Sequence, residues 1–69
     1  MSAVKIIRVM GTSEDSWEAA AEEAVARAGR TIDDISGVKI HGWTANVEDG
    51  EISQYKTLVE LAFPVRENL

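Results

Sequence analysis

Three groups of residues in this chain have types and spacing that could do chemistry. They are the acidic runs Asp33-Asp34 and Glu48-Asp49-Gly50-Glu51, the lone His41, and the step Gly11-Thr12-Ser13 ahead of an acidic segment. The carboxylates are hard oxygen donors suited to calcium, yet neither run has EF-hand spacing, and a calcium cage takes about six to eight oxygens. A polar connection before a strand and a turn account for them within one chain. Symmetry, bringing carboxylates from several copies onto one axis, would favour a ligand role. His41 has no cysteine and no second histidine to join, so zinc and nucleophile-base chemistry are not indicated. A hydrogen bond at an interface is its expected role. Gly11-Thr12-Ser13 could meet an anion at a helix start, though capping the helix is the ordinary use of such residues. The chain lacks G-x-S-x-G, a Ser/His/Asp constellation and a phosphate-cradling glycine loop, so it is not read as an enzyme. No catalytic residue and no metal ligand is assigned.

These residues must be positioned by a small set of elements. Val4 to Met10 is rich in β-branched residues and ends at Gly11, which predicts a first strand. Ile6 and Ile7 are adjacent, so that strand is apolar on both faces. Thr12 or Ser13 is the expected N-cap of a helix running from about Glu14 to Ala28. Within it Trp17, Ala20 or Ala21, Ala24, Val25 and Ala28 recur at helical spacing, with Glu18, Glu22 and Glu23 toward the other side. Six alanines between positions 19 and 28 allow close approach to a sheet, and Glu23 with Arg27 forms an i,i+4 pair in the favourable order. Gly29 is a helix stop. After the polar stretch Thr31 to Asp34, two extended runs, Ile35 to Val47 and Glu51 to Val65, flank Asp49-Gly50, a strong two-residue hairpin signal.

The resulting order is β-α-β-β in a single domain over residues 1–69, an α+β fold. A right-handed crossover puts the first and second strands parallel, with the antiparallel third most simply between them. The predicted sheet order is 1-3-2. With Asp49 and Gly50 as the loop, Val38 faces Leu61, Ile40 faces Val59, Gly42 faces Thr57 and Thr44 faces Tyr55. That apolar row should receive the helix. The opposite face then carries Gly37, Lys39, His41, Trp43 and Val47 against Ala62, Glu60, Leu58, Lys56 and Ile52. One helix covers one face only, so the second is left for other subunits.

Composition supports that expectation. A domain of 69 residues buries only about 60% of its unfolded surface, and the absence of cysteine removes disulfides, iron–sulfur clusters and thiol catalysis. Partner subunits are the remaining source of stability. Seven Lys and Arg against twelve Asp and Glu give a net charge of −5, which disfavours nucleic acid and anionic membranes as partners. No apolar run approaches a membrane span, and nothing resembles a signal peptide, so a cytoplasmic protein is expected.

Gly11-Thr12-Ser13-Glu14-Asp15-Ser16-Trp17 leading into an alanine-rich acidic helix, then Thr31-Ile32-Asp33-Asp34-Ile35, then Tyr55 and Leu61-Ala62-Phe63, resemble the dodecin family along nearly the whole chain. The resemblance implies a hollow homododecameric shell, helices outside and sheets inside, that binds a flavin such as FMN or riboflavin. Flavin-binding members place a stacking Trp early in the second strand, where this chain has Gly37, and a ring-edge Gln after the Tyr of the third, where it has Lys56. Gly37, Lys56 and Trp43 are therefore the candidate cofactor-binding residues. Trp43 lies about 20 Å along the strand from Gly37, so only a neighbouring subunit could present it in place of the missing ring. Packing between subunits, with the Lys56 ammonium over its ring, is its expected role. Dodecins lacking the stacking Trp include calcium-binding ones, and this chain is closer to that subgroup. Flavin and calcium thus stand as alternative ligands of the shell.

Overall fold

The computed structural model describes residues 3–65. They form β1 (Val4–Ser13), α1 (Trp17–Ala28), β2 (Gly37–Glu48) and β3 (Glu51–Pro64). The sheet order is β1-β3-β2, with β3 antiparallel to both neighbours, as expected from the crossover argument. Asp49 and Gly50 close the hairpin with φ of 52° and 79°, the left-handed pair that a type I′ turn demands.

The first loop differs from expectation. β1 continues through Gly11 to Ser13, and α1 begins at Trp17 with Ser16 as N-cap, its Oγ accepting from the Ala19 N–H at 3.0 Å. Neither Thr12 nor Ser13 is the cap. Instead Gly11 pairs with Thr57 in the sheet, directly under the helix. A Cβ at Gly11 would lie 1.9 Å from the Ala20 carbonyl oxygen and 2.9 Å from the Ala24 Cβ. The alanine stripe and Gly11 therefore form one close contact, and Ala20 and Ala24 are fully buried there. Val59 and Leu61 complete the core, with Ile7, Val9, Val25 and Ile35 packed around it.

That core is small for geometric reasons. A helix of 12 residues is about 18 Å long, whereas the 14 residues of β3 extend about 46 Å. The molecule measures 56 × 19 × 13 Å, so α1 covers only part of one face. Val38 and Ile40 of β2 stay exposed beside the helix, and the far face has no cover.

The register of the hairpin corrects the simple count. Pairing follows expectation at Val38–Leu61 and Ile40–Val59, but two shifts intervene, with His41 extra on β2 and Ser53 extra on β3. Between them Gly42 pairs with Leu58, Trp43 with Thr57, Thr44 with Lys56 and Ala45 with Tyr55. Because side chains alternate along a strand, one extra residue exchanges the faces of everything beyond it. Trp43 consequently joins Thr57 and Tyr55 on the helix side, not Lys56 on the far side.

Candidate functional site

The far face of the sheet is built by every second residue of each strand. β1 contributes Val4, Ile6, Arg8, Met10 and Thr12, and β3 contributes Gln54, Lys56, Leu58, Glu60 and Ala62, as their pairing sets. β2 adds Gly37, Lys39, Gly42 and Thr44 opposite Ala62, Glu60, Leu58 and Lys56. Ile6 and Met10 are 53% and 47% exposed, large apolar side chains on an uncovered surface.

A polar row crosses this face. Arg8 of β1 and Lys39 of β2 both pair with Glu60 of the central strand, and the extra residue His41 turns its ring to the same group. Arg8 Nε donates to Glu60 Oε2 at 3.1 Å, and His41 Nε2 lies 3.0 Å from that oxygen. Arg8 Nη2 is also 3.2 Å from His41 Nε2. Burial acts to raise the Glu60 pKa, but the hydrogen bond from Arg8 and the charges of His41, Arg8 and Lys39 outweigh it. The carboxyl is held below its ordinary value of 4.5. Glu60 is the hub that ties all three strands together.

The candidate cofactor-binding residues are not brought together. Gly37 opens β2 beside Ala62, and Lys56 sits six positions along β3 from Ala62, about 20 Å away. Lys56 is flanked in register by Thr12 and Thr44. Trp43 is on the other side of the sheet, so the expected contact of its ring with Lys56 is absent. Its neighbours are aromatic: the Trp17 ring lies 5.9 Å from that of Trp43 and 4.7 Å, edge to face, from that of Tyr55. Trp17 also anchors the start of α1, since its Nε1 donates to the Thr44 carbonyl at 2.8 Å and its own carbonyl accepts from the buried Thr57 hydroxyl at 2.9 Å. Trp43 remains 59% exposed at the rim of this cluster.

Two consequences follow for ligand chemistry. The chain has four Trp, Tyr and Phe residues, and Trp17, Trp43, Tyr55 and Phe63 all lie on the helix side, leaving the far face with none of these larger rings for a planar ligand to stack on. Among the described residues no group of three or more His, Asp or Glu side chains is placed to hold a metal ion. Asp33-Asp34 lie in the connection before β2, with Asp34 at φ 62°, and in the second run Asp49, at φ 52°, is in the hairpin turn while Glu48 and Glu51 end β2 and begin β3. No helix among the described residues is long and apolar enough to cross a membrane. The Arg8–His41–Glu60 row was missed in the sequence because its members are 33 and 52 positions apart. The hairpin register put His41 and Glu60 on one face, but nothing in the sequence aligned Arg8 of β1 with them.

Comparison with known proteins agrees with this architecture. A family model described as Dodecin matches residues 3–66. The chain is 38% identical over 66 residues to the calcium dodecin of Mycobacterium tuberculosis, spanning 96% of this chain and 93% of that protein. A crystal structure of the calcium-chelating calcium dodecin from that organism, described with a novel calcium-binding site, superposes with a TM-score of 0.83 at 38% identity, covering 99% and 97% of the two chains. A mutant of Thermus thermophilus dodecin superposes with a TM-score of 0.94 at 25% identity, over 99% and 100% of the chains. With fold, strand order and family match in agreement over nearly its whole length, the chain belongs to the dodecin family.

Proposed function

We propose that this chain assembles into a homododecameric shell, sheets inward and helices outward, that sequesters small ligands and catalyses no reaction. The observation that carries this reading is the uncovered sheet face, where Ile6 and Met10 stand half-exposed over a core of four fully buried apolar residues. Burying such side chains between copies contributes about 25 cal/mol per Å², which so small a core requires. Val38 and Ile40, left bare beside α1, offer a second surface for neighbouring copies.

Calcium is the better supported ligand, and flavin the weaker one. By the family resemblance Gly37 takes the place of the stacking Trp, and the far face carries no Trp, Tyr or Phe; the similarity to a protein named calcium dodecin points the same way. One chain's described residues do not form a calcium cage, so the oxygens would come from more than one subunit. Lys56 and its flanking Thr12 and Thr44 are what favours the flavin alternative, as partners for a phosphate-bearing ligand.

Native mass spectrometry of the purified protein tests both parts. A dodecamer carrying calcium, together with thermal stabilisation by millimolar calcium that sodium chloride of matched ionic strength does not reproduce, is the expected result. A monomer overturns the shell. Flavin-sized mass increments, or equal stabilisation by the two salts, overturn calcium as the ligand.

A further inference from the structure

The two contacts of His41 Nε2 do not fit a single hydrogen position. Its Nε2 lies 3.2 Å from Arg8 Nη2, a group that only donates, and 3.0 Å from Glu60 Oε2, a carboxylate that only accepts when ionised. One ring nitrogen cannot serve both. With a lone pair it accepts from Arg8; with a hydrogen it donates to Glu60 and opposes the Arg8 N–H. Of the two neighbours Arg8 is the one free to yield, since its side chain is 58% exposed and keeps a separate bond from Nε to Glu60, whereas Glu60 is 19% exposed and central.

We infer that His41 is a proton-driven switch on the far sheet face: neutral, it accepts from Arg8 Nη2 and links β2 to β1; protonated, it pairs with Glu60 and releases that arm of Arg8. The charged groups around it are Arg8 from β1, Glu60 from β3, with Lys56 about 13 Å further along that strand, and Lys39 from β2 itself. α1 lies on the opposite face and contributes none. Protonation adds a positive charge beside Arg8 and Lys39, with Glu60 as the carboxylate in contact with the ring. Measurements at pH 8 and pH 5.5 compare the two states of the ring.

The inference concerns contacts within one chain and stands independently of the shell. A double-mutant cycle on Arg8→Gln and His41→Gln, read by denaturant unfolding, should show favourable coupling of about threefold or more at pH 8 that vanishes or reverses at pH 5.5. Coupling of equal sign and size at both pH values overturns the switch. The imidazole nitrogen resonances of the unmutated protein give a second reading: Nε2 unprotonated at pH 8 is expected, and Nε2 protonated at that pH overturns the assignment even if the variants do not fold. Native mass spectra at both pH values separate this outcome from loss of assembly.

Discussion

Replacing Gly11 by alanine tests the contact on which the helix sits. The added Cβ would be placed 1.9 Å from the Ala20 carbonyl oxygen and 2.9 Å from the Ala20 carbonyl carbon and the Ala24 Cβ. Ordinary carbon–oxygen contact needs well over 3 Å, so α1 must lift from β1 by more than 1 Å as a rough geometric estimate. Neither neighbour can move aside by rotation, because one is backbone and the other is a methyl group on backbone. Overpacking of cores costs about 1–3 kcal/mol where side chains absorb it, and backbone displacement puts this case at about 3 kcal/mol. Lifting the helix also loosens Val59 and Leu61 beneath it. For a domain of this size that corresponds to a drop of roughly 12–24 °C in Tm. The assay is urea unfolding followed by far-ultraviolet circular dichroism at one fixed protein concentration, since association of the proposed kind would contribute to apparent stability. Gly29→Ala is the control: Gly29 has φ −64°, and its added Cβ would meet the Val25 oxygen at 3.2 Å, so a change within about 1 kcal/mol is expected. A Gly11→Ala loss below about 1 kcal/mol, or one no larger than that of Gly29→Ala, would show that the helix does not rest on Gly11 as described.

Ser16→Ala should cost about 1 kcal/mol by removing the acceptor for the Ala19 N–H, measurable by the same unfolding curves; Thr12→Ala should have no effect on the helix cap. Gly50→Val should destabilise the hairpin by about 1–3 kcal/mol, since a β-branched residue resists the φ of 79°, and unfolding curves unchanged from the parent would place the turn elsewhere. Glu60 has a folded-state pKa below 4.5, so its contribution is present above that value and is lost as the pH falls through the lower folded pKa. Glu60→Gln should therefore be less stable than the parent at neutral pH, with the gap narrowing below about pH 4.5; a gap that goes on widening below that pH contradicts the sign.

Much of the architecture was legible in the residues. β-branched runs, an alanine stripe at helical spacing and Asp-Gly between two extended segments define β-α-β-β, and crossover handedness leaves order 1-3-2 as the simplest sheet. The uncovered second face followed from counting: one helix against a sheet with apolar residues on both sides. The family was legible too, from Gly11-Thr12-Ser13 onward, although Gly11 proved to be a strand residue beneath the helix and Ser16 the cap.

What the residues could not reveal is which side of the sheet Trp43 occupies and that Arg8, His41 and Glu60 meet. Side-chain direction in a strand has a period of two, so one unpaired residue reverses it, and the extra residue at His41 is marked only by the glycine that follows it, Gly42. A count from the turn is correct at Val47 and again at Ile40, and wrong between them, where the candidate ring lies. Local pattern thus determined the elements, their order and the second sheet face that the helix leaves uncovered. The site depends on long-range pairing, which places residues 33 and 52 positions apart within hydrogen-bond reach, and only the folded sheet decides that.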